Sequence, residues 1–324
     1  MLSVIVPAYN EEKMIQKSSI VIGRLLCQES IEYEIIFIND GSDDGTWKEI
    51  RSLCRQSPIV KGISFSRNFG KEAAIFAGME YAKGDCCVMI DCDLQHPPEV
   101  ILDMYRLWKE GYEVVEGVKS DRGKESLLYK VAAKGFYHMI SNATGIDMRK
   151  ASDFKLLDRK VIDALLAMPE KQVFFRALSS WVGFKSTKVA FQVQKRTIGK
   201  TKWSAVCLIK YALSNISSFS SAPMQIVTMI GGLFLVFSIV FGIQTLVQYG
   251  SGKALEGFTT VILLLLLIGS ILMISMGVIG YYISKIYNEV KCRPRYIVTQ
   301  SLNDEKGEQT EFAGGGENSF DADL

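Results

Sequence analysis

Residues 89–99 read MIDCDLQHPPE and place two carboxylates, Asp91 and Asp93, directly after an apolar run. The run covers residues 86–90 and carries no charge, which is typical of a strand buried in a sheet. Such a strand seldom ends in two acids one residue apart unless the acids hold something cationic. The stretch therefore predicts a buried strand whose end forms a cation site.

Strand-like and helix-like patterns alternate around this stretch through residues 2–120. The segments that read as strands are residues 2–7, 33–39, 62–66, 87–91 and 113–117. Between them lie amphipathic segments with apolar residues at helical spacing. The alternation predicts an α/β fold with a mostly parallel sheet covered by helices on both faces. Farther along, residues 125–182 read as helical and residues 187–194 as one more strand.

Polar motifs follow four of these strands. They are PAYNEE, NDGSDDGT, SRNFGK and DCDLQHPPE, at residues 7–12, 39–46, 66–71 and 91–99. Each motif alone reads as an ordinary turn. In a parallel sheet, however, the carboxyl ends of the strands meet at one rim, where ligands bind. Together the motifs predict a binding crevice.

The bulk composition narrows the class of protein. A chain of 324 residues has room for a catalytic domain and an addition, and its net charge of +2 shows no footprint for nucleic acid. Seven cysteines without a CxxC pair and only two histidines argue against a disulfide framework or a zinc site. His96 and His138 have no motif partner and read as structural. The chain starts in a strand-like run, so we expect no signal peptide and a reducing, cytosolic setting.

Two long stretches carry no charged residue, between positions 210 and 253 and between positions 256 and 285. Each exceeds the ~20 residues needed to cross a bilayer. They predict two transmembrane helices, at residues 223–249 and 257–284, with a pair of buried core helices as the alternative. Lysine and arginine are frequent on both outer flanks, which places both flanks in the cytosol.

This topology predicts a multi-pass protein of the plasma (inner) membrane with its catalytic domain and both termini in the cytosol. The catalytic domain would occupy residues 1–200. Residues 201–222 read as an amphipathic helix at the membrane surface, with an ordinary packing helix as the alternative. Residues 285–324 read as a basic segment followed by a polar, Gly-rich, disordered tail.

The D-x-D spacing of Asp91 and Asp93 suits Mg²⁺ or Mn²⁺, which prefer oxygen ligands and keep substrate phosphates in their shell. Too few protein ligands lie nearby for a closed cage, which favours a metal that arrives with a diphosphate. Gln95 can add an amide oxygen, Asp40 can accept from a nucleobase, and Tyr9 can stack on the base. Neither GxGxxG nor GxxxxGK[ST] is present in the sequence, so NAD and P-loop sites lack their signatures.

The quoted motifs carry a resemblance to a known family. SVIVPAYNEE, INDGSDDGT, SRNFGKEAA and DCDLQHPPE together resemble family 2 glycosyltransferases, which have the GT-A fold. SDFKLLDRKVIDAL, RTIGKTKW and KIYNEVKCRPRYIV narrow the resemblance to polyisoprenyl-phosphate glycosyltransferases. Within these, the chain is similar to bacterial undecaprenyl-phosphate glucosyltransferases and, more distantly, to dolichol-phosphate mannose synthases. The resemblance covers about residues 1–300.

The resemblance implies roles for individual residues. Those implied at the nucleoside are Pro7, Ala8, Tyr9, Glu11 and Asp40. Asp93 is the implied main metal ligand, with Asp91 near the ribose, diphosphate and metal and with Gln95 close by. Asp153 is the implied acceptor-side carboxylate. Those implied at phosphates or elsewhere on the substrates are Lys71, Lys155, Arg196, Lys200 and Lys202.

The chain also departs from the family pattern. Asn39 stands where aspartate is common, Cys92 where alanine is common, and Ser152 where glycine is common. Lys155 stands where arginine is common and lacks the bidentate fork of a guanidinium, so we expect looser phosphate binding there.

The implied reaction transfers one sugar, with inversion, onto a lipid monophosphate. Such a monophosphate is largely dianionic at neutral pH, since its second pKa is about 6, and hardly needs a base. Asp153 is then either a base or an orienting group. UDP-glucose is the first choice of donor, while GDP-mannose and UDP-GlcNAc stay open. A homo-oligomer is also implied.

Three other functions compete with this one. A processive polysaccharide synthase usually carries QxxRW and more spans. A soluble sugar transferase would not need the apolar hairpin. A membrane scaffold would not need the D-x-D and a nucleotide crevice.

Overall fold

The computed structural model of the chain describes residues 1–119, 152–168, 175–192, 258–291 and 293–304, with isolated residues between 229 and 251. The chain divides into two compact units. The first contains the described residues up to 192 together with residues 294–304. The second contains the described residues from 229 to 293.

Strands and helices alternate in the first unit. Its strands are β1 Leu2–Ala8, β2 Tyr33–Asn39, β3 Val60–Phe65, β4 Cys86–Met89, β5 Val114–Lys119, β6 Lys155–Asp158, β7 Ser186–Phe191 and β8 Val298–Leu302. Its helices are α1 Glu12–Gln28, α2 Thr46–Gln56, α3 Lys71–Tyr81, α4 Val100–Lys109, α5 Arg159–Leu166 and α6 Phe175–Trp181. The second unit contributes α7, Phe258–Val290.

The eight strands form one sheet in the order β7-β5-β6-β4-β1-β2-β3-β8. Strand β1 pairs in parallel with β2 and β4, β2 with β3, and β5 with β7. Alternate side chains of β1 enter different cores, with Val4 and Val6 on one face and Ile5 on the other. Helices α1, α2 and α4 cover the first face, and α3, α5 and α6 cover the second. The predicted α/β fold with a mostly parallel sheet is confirmed.

The strand β6 corrects the sequence analysis. Residues 125–182 read as helical, and α5 and α6 within that range are helices, but Lys155–Asp158 is a strand. It runs antiparallel between β4 and β5, with Lys155 opposite Met89 on one side and Glu116 on the other. A four-residue strand shows no period of its own, so its state is fixed by the neighbours that pair with it.

The strand β8 was also not predicted, since residues 285–324 read as a basic segment and a disordered tail. Val298–Leu302 pairs antiparallel with β3, where Ile63 lies opposite Ser301. Directly after it, the side-chain amide of Asn303 donates to three backbone carbonyls. They belong to Cys54 in α2, Ser57 directly after α2, and Val60 at the start of β3. The end of this segment therefore adds an edge strand to the sheet of the first unit.

In the second unit, the Leu267–Val290 part of α7 is long and apolar enough to cross a membrane, by length and composition. It overlaps the second predicted span and continues past residue 284. The predicted interfacial helix at 201–222 lies outside the described residues, and only isolated residues of the span at 223–249 are described. The two-span topology stays a prediction.

Candidate active site

The loops after β1 and β2 are joined by hydrogen bonds through Asn10. The Asn10 backbone N–H donates to Ser42 Oγ at 3.0 Å, and the Asn10 side-chain oxygen accepts the Asp43 N–H at 2.9 Å. Asn10 has φ 55°, a left-handed conformation that asparagine tolerates better than most residues. The bonds hold the PAYNEE and NDGSDDGT loops at one rim of the sheet.

Asp40 joins the loop after β2 to the loop after β3. It is 3% exposed, and its carboxylate accepts the N–H of Phe69 at 2.7 Å and the N–H of Gly70 at 3.0 Å. Burial raises the pKa of Asp40, while the two backbone donors act in the opposite direction. Gly41 allows the two loops to meet, because a Cβ there would lie 2.3 Å from the carbonyl carbon of Arg67.

The residues implied at the nucleoside surround this junction. The Ala8 carbonyl ends β1 and accepts the Asp40 N–H at 3.0 Å, directly after Pro7. Tyr9 follows and is 41% exposed, so its ring is accessible for stacking. The Glu11 N–H donates to Thr46 Oγ1 at 2.9 Å. Proximity to the rim fits their implied role, which stays a prediction.

Lys71 lies between two carboxylates from different strands. Its Nζ is 2.5 Å from Asp91 Oδ1, after β4, and 3.1 Å from Asp153 Oδ2, before β6. The guanidinium of Arg176, on α6, donates to both oxygens of Asp153, at 2.7 Å from Nε and 2.8 Å from Nη2. The four side chains are two carboxylates and two cations, and we call them the Asp153 cluster.

Both acids of the Asp153 cluster are held ionised. Burial alone would raise the pKa of Asp153, but Lys71 and Arg176 outweigh burial and hold it well below its usual range. Burial is likewise outweighed at Asp91, chiefly by Lys71, so the pKa of Asp91 is also lowered. Neither carboxylate is ready to accept a proton near neutral pH, because a strong base would need a raised pKa.

The cation site predicted after β4 would use Asp91 and Asp93 with Gln95, and this role stays a prediction. Leu94, between them, has φ 55°, and Asp93 Oδ1 accepts the Gln95 backbone N–H at 3.1 Å. In the described part of the chain, no three His, Cys, Asp or Glu side chains form a metal-binding group. Two carboxylates and an amide fit Mg²⁺ or Mn²⁺ only if the cation brings further oxygen ligands, as a diphosphate complex does.

His96 packs beside this site. Its ring stacks on Phe154 with the centroids 5.0 Å apart, and its Nδ1 lies 3.9 Å from Asp91 Oδ2, beyond hydrogen-bonding distance. Burial lowers the pKa of His96, although Asp91 acts against this. The stacking fits the structural role expected for His96, while His138 lies outside the described residues.

Lys155 does not fit the implied phosphate-binding role, and this corrects the sequence analysis. Its side chain is fully buried and pairs with Glu116 Oε1 at 3.2 Å. It also donates to Ser179 Oγ at 2.8 Å and to the Arg176 carbonyl at 3.3 Å. The three protons of the ammonium thus have three protein partners. The side chain is enclosed because β6 lies in the middle of the sheet.

Three other residues of the prediction, Arg196, Lys200 and Lys202, lie outside the described part of the chain. Conversely, sequence reasoning missed Arg176 and Glu72. Glu72 Oε2 accepts the N–H of Phe175, the residue before Arg176. Glu72 lies within the quoted SRNFGKEAA motif but was given no role there, and Arg176 lies in no quoted motif, so their contacts reveal what they do.

Comparisons with known proteins identify relatives. Residues 3–166 match the family described as Glycosyl transferase family 2. The uncharacterized glycosyltransferase YkcC of Bacillus subtilis (strain 168) is 41% identical over 92% of this chain and 93% of the relative. The bactoprenol glucosyl transferase of Shigella phage SfII is 36% identical over 93% of this chain and 98% of the relative. A crystal structure of glucosyl-3-phosphoglycerate synthase from Mycobacterium tuberculosis is 20% identical, with a TM-score of 0.49 over 67% of this chain and 78% of that one.

Proposed function

Since the chain belongs to glycosyl transferase family 2 and is therefore a glycosyltransferase, we propose that it moves one glucose from UDP-glucose onto a polyisoprenyl phosphate in the membrane. The product would be a lipid-phosphate-linked sugar for modifying cell-envelope glycans. The observation that carries the proposal is the match to bactoprenol glucosyl transferases along 93% of this chain, because bactoprenol is a polyisoprenoid lipid.

The donor is proposed to bind at the rim formed by the loops after β1, β2 and β4. The exposed ring of Tyr9 stacks on the base, and the loops joined by Asp40 and Asn10 form the floor. Asp93 and Asp91 would hold the divalent cation, whose positive charge would offset that of the nucleoside diphosphate leaving group. Mg²⁺ and Mn²⁺ both fit this oxygen-donor set.

The acceptor is proposed to react without a protein base. Its phosphate oxygen already carries negative charge at neutral pH and attacks the anomeric carbon directly, which gives inversion. Because Asp153 is ionised and paired with Lys71 and Arg176, we assign it to orienting the acceptor-side cations. Arg196, Lys200 and Lys202 are proposed to bind the acceptor phosphate.

The membrane setting is proposed from α7 and the sequence together. One span fits Leu267–Val290, and the uncharged stretch at 223–249 would supply the other. This arrangement is a multi-pass protein of the plasma membrane with its catalytic domain in the cytosol, and a homo-oligomer is expected.

Product analysis tests the proposal. Membranes containing the protein are given polyprenyl phosphate and, separately, radiolabelled UDP-glucose, GDP-mannose or UDP-GlcNAc. We expect a lipid product with a single glucose, formed only with Mg²⁺ or Mn²⁺ present. Transfer of mannose or GlcNAc instead of glucose would show that the donor is not UDP-glucose. A polymeric product would indicate a processive synthase. The absence of transfer to any lipid phosphate would overturn the proposal.

A further inference from the structure

The position of Arg176 is fixed more firmly than a short helix could fix it. Helix α6 has only seven residues, Phe175–Trp181, and a helix of this length is marginal by itself. Two charged groups from other elements hold it, the fully buried Lys155 and the half-buried Glu72. Glu72, on α3, accepts the Phe175 N–H at 3.0 Å, and Lys155, on β6, donates to Ser179 Oγ at 2.8 Å and to the Arg176 carbonyl.

Burying the charges of Lys155 and Glu72 costs free energy. It is therefore informative that both residues contact the same helix, α6. Burial lowers the pKa of Lys155, and Glu116 only partly offsets this. Burial raises the pKa of Glu72 to about 7. Buried ionic groups are weak evidence for stability, because apolar residues of similar volume often serve as well. Both groups contact the backbone or side chains of α6, so they indicate that the place of α6 matters for something else.

The side chain that α6 presents is the guanidinium of Arg176, which forms a two-point bond with Asp153. A fork with Nε at 2.7 Å and Nη2 at 2.8 Å fixes the plane of the carboxylate as well as its place. The fixed carboxylate then holds Lys71, whose other partner is Asp91 in the cation site. Arg176 is thus connected to the cation site through Asp153 and Lys71.

We infer that Arg176 is a positioning residue for glycosyl transfer, which acts through Asp153. It fixes the carboxylate that orients Lys71 and cancels a negative charge that would repel a phosphate acceptor. The inference rests on the proposed lipid-phosphate acceptor. It assigns Lys155 and Glu72 to the support of α6.

Kinetics on Arg176→Gln in the full chain test the inference. We expect kcat/KM for polyprenyl phosphate to fall at least tenfold, while UDP affinity and thermal stability change little. Arg176→Lys keeps the charge without the fork and should recover part of the loss. Arg106→Gln is the matched control, because Arg106 also pairs with an aspartate, Asp103 at 3.3 Å, but at an exposed place on α4. It should stay within about twofold, as surface substitutions usually do.

A double-mutant cycle with Asp153→Asn separates positioning from a merely structural role. If Arg176 acts through Asp153, Arg176→Gln should cost less than about threefold in the Asp153→Asn background, since neighbouring groups that act together are not additive. Single-turnover measurements with excess enzyme allow the transfer rates of slow variants to be measured. If Asp153→Asn still shows no transfer, the transfer activity of Arg176→Ala is measured with millimolar guanidinium or ammonium added. Recovery of activity with guanidinium but not with ammonium decides in favour of the inference. The absence of recovery decides against it.

The outcomes distinguish the two hypotheses. Failure of the unmutated protein to use polyprenyl phosphate would overturn the proposed function. If the unmutated protein transfers, an equal loss from Arg176→Gln in both backgrounds, or a parallel loss of UDP binding, would overturn the role of Arg176. The same holds if Arg176→Gln is as active as Arg106→Gln.

Discussion

Lys71 neutralises two carboxylates that differ in what they can do next. Asp91 borders the proposed cation site, where a metal complex would take over its negative charge, whereas Asp153 keeps a second cation, Arg176. With a cation at Asp91 and Asp93, as proposed, Lys71 would have only Asp153 and substrate phosphates to balance. The implied substrate-binding role of Lys71 fits this arrangement and stays a prediction.

Asp93→Asn should abolish transfer with either Mg²⁺ or Mn²⁺ and leave the fold intact. The change removes a charge from the cation site without changing the size of the side chain, and the carboxylate lies in a turn rather than in the core. Transfer assays and thermal unfolding in detergent measure the two effects. Asp103→Asn, at an exposed position on α4, is the control. Activity within a few-fold of the unmutated protein would rule out Asp93 as the main ligand.

Glu72→Gln should stabilise the protein at pH 8 and much less at pH 5. Burial raises the pKa of Glu72 from its ordinary 4.5 to about 7 in the folded state. The folded protein therefore carries the full cost of a buried charge above pH 7, and this cost fades as the pH falls through 7 toward 4.5. The amide carries no charge at any pH and can still accept the Phe175 N–H.

The expected gain at pH 8 is roughly 1–3 kcal/mol, since one pKa unit corresponds to about 1.4 kcal/mol. Thermal unfolding at pH 5, 6, 7 and 8 checks it, with Glu110→Gln at the exposed end of α4 as the comparison. A gain that does not grow between pH 5 and pH 8 would contradict the shifted pKa.

At the scale of elements, two short antiparallel strands give the sheet its final form. β6 lies between β4 and β5 and carries Lys155 into the interior directly beside Asp153. β8 pairs with β3 and covers an edge that would otherwise offer unpaired backbone groups. Trp47 Nε1 on α2 donates to Gln300 Oε1 on β8 at 2.7 Å, which joins the strand to a helix as well.

Asn303→Ala and Asn303→Gly should both destabilise the first unit, and alanine should do so more. Both changes remove the bonds to the carbonyls of Cys54, Ser57 and Val60, and a hydrogen bond typically contributes about 0.5–1.5 kcal/mol net. Asn303 also has φ 58°, where alanine adds about 1 kcal/mol of strain and glycine adds none. Chemical unfolding measures the difference. Equal stability of all three proteins would show that this end of β8 contributes nothing.

At the scale of the whole molecule, the chain leaves the catalytic unit and returns to it. The described residues from 229 to 293 belong to the second unit, and residues 294–304 belong again to the first. Arg295 donates to the Met168 carbonyl at 2.6 Å, and the ring of Tyr296 stacks on Phe65 with centroids 4.9 Å apart. The second unit, which contains the apolar helix α7, is therefore inserted in the chain before β8.

Replacing residues 202–293 by a flexible Gly/Ser linker should leave a unit that folds and binds UDP. A protein that lacks residues 224–324 should fold less well, because this deletion also removes β8 and uncovers the edge of β3. The linker protein should transfer poorly to long polyprenyl phosphate in vesicles, since lipid delivery is expected to need the hairpin. Unfolding curves, UDP titrations and transfer assays compare the two proteins with the full chain. Undiminished transfer by the linker protein would make the hairpin a tether only.

The local pattern of the sequence was sufficient for most of the fold and named several residues of the candidate site. Strands β1, β2 and β4 were predicted because a buried parallel strand is a mostly apolar run. Strands β3 and β5 contain Lys61 and Glu116, and their place in the strand–helix alternation supported their prediction. Asp40, Asp91 and Asp93 were predicted as site candidates because parallel strands bring their carboxyl ends to one rim. The motifs in the loops also identified the family.

Tertiary structure alone decided which charges meet. Lys71 and Arg176 reach Asp153 from different helices, and no spacing in the sequence records that approach. Lys155 looked like a phosphate ligand until pairing of β6 in mid-sheet enclosed it. β8 looked like a tail because five residues with mixed polarity become a strand only beside an open edge. The sequence determined what each segment can form by itself, while contacts between distant segments determined the partners of its charges.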